Sequence, residues 1–177
     1  VTIYARALKI EARLLADDGL TVDSFAWRSQ LRYEWDAEAD DVCLALCDFR
    51  QRYSHEYIGN TGRLVITELT DRAYLVATQA LSMAMGVAPF GPAGTGKTES
   101  MKDLAKSCGI WAVVANCTDL MDEAIFRDML AGMAQTGCWL LMDEFNRIKP
   151  DVVATTIDLL SYIFSALRAR LESFIFD

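Results

Sequence analysis

Gly91-Pro92-Ala93-Gly94-Thr95-Gly96-Lys97-Thr98 is the stretch on which the reading of the fold turns. It matches G-x-x-x-x-G-K-[ST], in which glycines let backbone N–H groups converge on a phosphate chain with no side chain in the way. A helix starting beside Lys97 adds its positive dipole end, where otherwise unpaired donors meet an anion. Lys97 is then placed to reach the β- and γ-phosphates, and Thr98 to offer its hydroxyl to Mg²⁺. The competing reading is a glycine turn next to an unrelated lysine. With glycine at ~7% of residues, chance produces the pattern in a chain this long roughly once in a few hundred. The apolar residues 87–90 before it and the helical pattern after it are the context the motif requires.

Outward from the loop, strand-like and helix-like segments alternate. The periodicity predicts a helix over 96–107, a strand over 111–115, a helix over 123–134, a strand over 138–142 and a helix from about 151 to 171. Strands alternating with helices of this size indicate a parallel sheet built from βαβ units. Residues 87–90 are the expected first strand, although Pro89 cannot donate in a central ladder, so that strand must be short. Upstream, Thr70-Asp71 can cap a helix over 72–85, and residues 64–66 look briefly extended. Residues 2–16 carry Ile3, Ala7, Ile10, Leu14 and Leu15 on one helical face. Residues 24–35 mix aromatics with charges and show no clean period, and residues 42–47 suit a short strand or a buried segment. The main boundary falls near residues 54–59.

Forty-five residues beyond Thr98, Leu140-Leu141-Met142-Asp143-Glu144 ends an apolar strand on two adjacent carboxylates. In a parallel sheet the strand's carboxyl end faces the ligand crevice. Asp143 is placed there to hold Mg²⁺ through its water shell, and Glu144 to orient and deprotonate an attacking water. An isolated Asp-Glu pair would read as a solvated turn; the strand before it and the phosphate loop upstream shift the balance. The second carboxylate points to hydrolysis of the γ-phosphate, and the absence of an Asn-Lys-x-Asp tetrapeptide favours ATP over GTP. Asn116 closes the preceding strand on the crevice side, where it either pairs with Glu144 or starts the next turn.

Composition excludes several classes. The 177 residues are 53% hydrophobic and 24% charged, ordinary globular usage, so a disordered tail is excluded. No run of about 18 uninterrupted apolar residues occurs, which argues against a transmembrane helix and a membrane partner. Seventeen basic against 25 acidic residues give a net charge of −8, which opposes nucleic-acid binding. The five cysteines form no CxxC pair and there is one histidine, so neither zinc nor a disulfide scaffold is expected, and buried thiols in the cytosol are. His55 reads as a surface or hydrogen-bonded histidine before a functional one. Val1 in place of Met, and the apolar close at residues 174–177, read as cuts within a longer polypeptide.

With both motifs in hand, the chain resembles the dynein heavy chains where the linker ends and the first AAA+ module begins. The matching words are Phe25-Ala26-Trp27-Arg28-Ser29-Gln30-Leu31-Arg32-Tyr33, Glu56-Tyr57-Ile58-Gly59-Asn60, and residues 63–72. The phosphate loop with Glu99, then Asn116-Cys117 and Asp143-Glu144-Phe145-Asn146-Arg147-Ile148, continue the match. Residues 80–86 and the closing Phe174-Ile175-Phe176-Asp177 look more like axonemal chains than cytoplasmic ones.

The resemblance implies an α/β P-loop NTPase of the AAA+ kind, a parallel sheet flanked by helices, truncated before its last strands. A mostly helical linker end would precede it. Residues 1–55 would be linker and 56–177 the start of the module. Gly91, Pro92, Ala93, Gly94, Thr95, Gly96, Lys97, Thr98 and Glu99 would bind ATP, with Leu64, Val65, Ile66 and Leu69 on the adenine side. Thr98 and Asp143 would hold Mg²⁺, Glu144 would be the catalytic base, and Asn116 would gate it. Turnover would drive linker movement and microtubule release in the cytoskeleton of the cytoplasm and the ciliary axoneme, with other AAA+ modules and dynein chains as partners.

Glu68 stands where the family usually has proline, Val87 where it has a second glycine, and Met142 where Phe is commoner. These bear on nucleotide selectivity more than on the phosphates. Sensor strand, lid, arginine finger and stalk would lie past residue 177, and an arginine finger is worth ~10³–10⁵ in rate, so this chain alone is expected to be a poor ATPase. The other readings are a different P-loop enzyme, such as a small-molecule kinase, and a non-hydrolysing nucleotide-binding scaffold.

Overall fold

Aromatic and charged residues that show no helical period upstream of the loop pair into strands. The computed structural model describes residues 16, 21–60, 62–65, 67–92 and 94–175. The helix expected over residues 2–16 falls outside the described residues except for Ala16, and so do Ile66 and Ala93. A one-turn helix α1 (Phe25–Arg28) is followed by β1 (Arg32–Asp36), β2 (Asp41–Leu46) and β3 (Phe49–Arg52), a three-stranded antiparallel meander. Among described residues 21–52 strand outweighs helix, a correction to the mostly helical linker end over that part of it. Tyr33 and Trp35 alternate with residues that face the sheet, and a period of two supports a strand and not a helix.

The hairpin turns explain the register. Asp36 Oδ1 accepts the N–H groups of Glu38 and Ala39, each at 3.1 Å, an aspartate-built turn that pairs Asp36 with Asp41. Those donors hold the Asp36 carboxyl below its ordinary range, Ala39 contributing most. The next turn needs only Cys47 and Asp48, with Cys47 at φ +51. The central strand β2 buries Cys43, Leu44, Ala45 and Leu46.

Downstream come α2 (Glu68–Ser82), α3 (Lys97–Ser107), β4 (Ala112–Asn116), α4 (Glu123–Thr136), β5 (Trp139–Asp143), a 3₁₀ turn (Phe145–Arg147) and α5 (Pro150–Ala169). The cap of α2 is Thr67, not Thr70-Asp71 as the sequence suggests. Thr67 and Thr70 exchange side-chain and backbone bonds reciprocally, so Thr70 lies inside the first turn. Asp122 caps α4 through the N–H of Ile125 at 3.0 Å, and Pro150 opens α5 where its missing N–H costs nothing.

β4 and β5 pair in parallel, Ala112 opposite Trp139 through Asn116 opposite Asp143, and α4 joins them as a βαβ unit. Both predicted strands are present, each displaced by one residue. Residues 87–90 form no strand among the described residues, and Pro89 lacks the N–H a ladder there would need.

One core joins the two halves of the chain. Leu44, Leu46 and Phe49 of the meander pack with Tyr74 and Ala77 of α2, Met101 and Leu104 of α3, and Cys108. A second cluster unites Cys117, Phe126, Ile148 and Val152, and a third sets Leu130 of α4 against Leu159 and Ile163 of α5. By length and composition α5 is apolar enough to span a membrane. Asp151, Asp158 and Arg168 interrupt it, and its buried stripe of Val152, Thr156, Leu159, Ile163 and Ala166 is that of a helix packed on a core.

Candidate functional site

The site is built where α3 begins and β5 ends. Gly96 occupies the N-cap position of α3 at φ +80, a left-handed conformation that a residue with a Cβ adopts only under strain. Among the described residues no side chain caps this helix, which leaves the N–H groups of its first turn without a protein side-chain acceptor. That is the donor set an oxyanion requires. Lys97 Nζ donates to the carbonyls of Gly91 at 2.9 Å and Pro92 at 2.6 Å, closing the loop into a ring. An ammonium carries three hydrogens, so one remains for an anion held in that ring. Thr95 Oγ1 ties the loop again by donating to the Pro92 carbonyl at 2.9 Å.

The loop and the strand meet through one hydrogen bond. Thr98 Oγ1 donates to Asp143 Oδ2 at 3.0 Å, and both side chains are half-buried. A hydroxyl and a carboxylate at this separation supply two hard oxygens. Mg²⁺ takes one or two protein oxygens of this sort and keeps waters and phosphate oxygens in its remaining positions. The donor set therefore fits Mg²⁺-nucleotide.

Asp143 also governs its neighbours. Its Oδ1 accepts the N–H of Glu144 at 2.9 Å, and its backbone carbonyl accepts from Cys117 at 2.9 Å. Burial, with the Asp143 charge second, pushes the Cys117 thiol up, so it stays protonated. Glu144 is exposed, stands at φ +54, and its Oε2 accepts from Arg147 Nε at 3.2 Å. Asn116 ends β4 directly opposite Asp143. Among the described residues its side chain makes no hydrogen bond to Glu144.

The remaining predicted positions are distributed more loosely. Glu99 is exposed and bonded to Lys102 at 2.6 Å. Leu64 is half-buried, whereas Val65 and Leu69 are 59% and 71% exposed. Ile66 and Ala93 lie outside the described residues. The segment before α2 is nonetheless fixed to α3, because the buried Asp103 accepts Arg63 Nε at 3.0 Å, the N–H of Leu64 at 3.3 Å and the Tyr74 hydroxyl at 2.7 Å. Sequence reasoning missed this knot and the Glu144–Arg147 pair. The three-residue interval between Glu144 and Arg147 was the available signal for the second. Open clefts near Met121 and Lys149, and near Trp27 and Arg32, contain no phosphate-loop residue. Pro92, Gly94, Thr95 and Gly96 of the loop are exposed, so the site lies at the surface.

Comparison with known proteins gives this geometry a context. Residues 53–177 match the family described as the hydrolytic ATP binding site of dynein motor region. The chain is 45% identical over all 177 residues to dynein axonemal heavy chain 2 of Homo sapiens. It is 44% identical over 172 residues, 96% of its length, to dynein axonemal heavy chain 17 of Mus musculus. To dynein axonemal heavy chain 10 of Homo sapiens it is 48% identical over 158 residues, 89% of its length. It spans about 4% of the length of each of these relatives.

Proposed function

Because the chain belongs to the family that forms the hydrolytic ATP-binding site of the dynein motor region, we propose that it binds and hydrolyses Mg²⁺-ATP between the phosphate loop and the end of β5. The observation that carries this reading is the Thr98–Asp143 bond of 3.0 Å, which unites two motifs 45 residues apart. The first-turn N–H groups of α3, with Lys97, hold the phosphates. Thr98 and Asp143 would hold Mg²⁺, and the ion would supply charge neutralisation at the phosphates. Glu144 orients a water and accepts its proton, with Asn116 beside Asp143 as a second polar group on that edge. Residues 64–69, tied to α3 through Asp103, form the adenine side.

At the level of the whole polypeptide, residues 1–55 are the end of the linker and 56–177 the beginning of the module; the family match starting at residue 53 supports this division. ATP turnover then moves the linker and drives microtubule-based motility in the axoneme, in concert with further AAA+ modules and other dynein chains. The axonemal names of the relatives support that location. The test is steady-state hydrolysis by the full-length heavy chain carrying this segment, with Lys97→Ala and Glu144→Gln introduced singly. Loss of binding in the first, and retained binding with loss of turnover in the second, support the reading. Unchanged turnover in both refutes it.

A further inference from the structure

Glu144 has a backbone that is pinned and a side chain that is not. Its N–H is held by Asp143 Oδ1 at 2.9 Å, and its carbonyl accepts the N–H of Arg147 at 3.0 Å. The residue sits in the left-handed region at φ +54, ψ +34, a conformation that costs a non-glycine residue energy and persists only where neighbours impose it. Repositioning of the carboxylate therefore falls to the side-chain torsions. In this conformation Oε2 is engaged by Arg147 Nε at 3.2 Å, with the two side chains 50% and 62% exposed. Such a pair is weak enough to open in water. Thr98 and Lys97 are engaged away from Glu144, Thr98 with Asp143 and Lys97 with the carbonyls of Gly91 and Pro92.

We propose that Arg147 is a positioning residue that restrains the Glu144 carboxylate in a resting orientation, and that this carboxylate must leave Arg147 before it can activate water. The inference rests on the reading of Glu144 as the base. The geometry supplies both halves of a restraint. The 3₁₀ turn Phe145–Arg147 brings the guanidinium back over the residue three positions earlier, and the bond to Oε2 sets the direction in which the carboxylate faces. Arg147 makes no hydrogen bond to the phosphate loop among the described residues, so the restraint acts on the chemical step and not on nucleotide binding. The strength of an exposed ion pair limits its effect on rate to about two- to five-fold.

The test is steady-state ATP hydrolysis by the full-length heavy chain that contains this segment, measured over a range of Mg²⁺-ATP concentrations. The variants are Arg147→Ala, Arg147→Lys, Glu144→Gln and the double variant Arg147→Ala/Glu144→Gln. Arg147→Ala is expected to raise kcat about two- to five-fold with KM unchanged. Arg147→Lys, which keeps a cation in reach, should stay near wild type, and the double variant should match Glu144→Gln. Binding of a fluorescent nucleotide checks that each variant is folded; if Arg147→Ala fails that check, Arg147→Gln takes its place. A kcat that is unchanged or lowered, or a change confined to KM, overturns the restraint while leaving Glu144 as the base. Wild-type turnover in Glu144→Gln overturns the base assignment itself, and the restraint with it.

Discussion

Thr98 and Asp143 reach the same point from different elements, and their meeting is the most informative contact in the molecule. Thr98 Oγ1 presents a neutral oxygen and Asp143 a charged one, and Asp143 divides its carboxylate between Thr98 and the N–H of Glu144. Replacing Thr98 by Ala removes one of the two hard oxygens. Nucleotide affinity measured with Mg²⁺ and again with excess chelator should differ in the wild type and become nearly equal in Thr98→Ala. An undiminished Mg²⁺ effect in that variant would remove Thr98 from the metal site. Glu144→Gln keeps the shape of the side chain and deletes the basic oxygen. In the full-length heavy chain it should lower turnover by about 10²–10⁴-fold, the ordinary worth of a general base, with nucleotide binding intact. These residue types were legible in the sequence because the motifs are local words. The partner of Glu144 was less so, since the carboxylate's orientation depends on a left-handed backbone that no local pattern announces.

The helix that begins at the phosphate loop is clamped at its other end. Tyr33 of β1 donates its hydroxyl to the Ser107 carbonyl at 3.0 Å, and Ser54 and Glu56 donate their N–H groups to the carbonyls of Cys108 and Gly109. Gly109 lies so close beneath Tyr53 that a Cβ there would come within 2.5–2.8 Å of the ring. The antiparallel meander and the nucleotide-side helix are thus one mechanical unit in this chain. Midway along α3, Asp103 is 1% exposed and accepts from Arg63, Leu64 and Tyr74, which compensates the cost of burying a charge. Asp103→Ala strands those donors and should cost about 3–5 kcal/mol in urea unfolding. Lys102→Ala, one position away but in an exposed pair with Glu99, should cost at most about 1 kcal/mol. Equal losses at the two positions would contradict the knot. Helices α3, α4 and α5 and strands β4 and β5 were readable because each carries its own apolar period and stop signal. Of the meander only β2 was, as the short strand or buried segment read over residues 42–47. The pairing of β1 and β3 was not, because the alternation of β1 is masked by surface aromatics such as Tyr33 and Trp35, and Asp103 looks like any helix carboxylate until its partners some 30 to 40 residues upstream are known.

At the scale of the molecule, two of the acids raised by burial among the described residues, Cys108 and Tyr74, tie stability to alkaline pH. Burial pushes the Cys108 thiol from 9.0 up to about 12, and burial with the Asp103 hydrogen bond and charge pushes the Tyr74 hydroxyl well above 10.0. Above pH 9 the unfolded chain gives up these protons while the folded chain retains them. The unfolded state then binds fewer protons, so stability present below pH 9 declines as pH rises toward 12. Urea midpoints should fall between pH 8 and pH 10.5, and Cys108→Ala with Tyr74→Phe should flatten that fall. A midpoint that holds steady would mean these groups are not protected by the fold. The central claim, that the crevice between α3 and β5 is a Mg²⁺-ATP site, is tested most directly by titrating the purified chain with a fluorescent ATP analogue in the presence of Mg²⁺, beside Lys97→Ala. Saturable, Mg²⁺-dependent binding that Lys97→Ala abolishes is the predicted result; no binding by the folded wild type, or equal binding by both proteins, would contradict it.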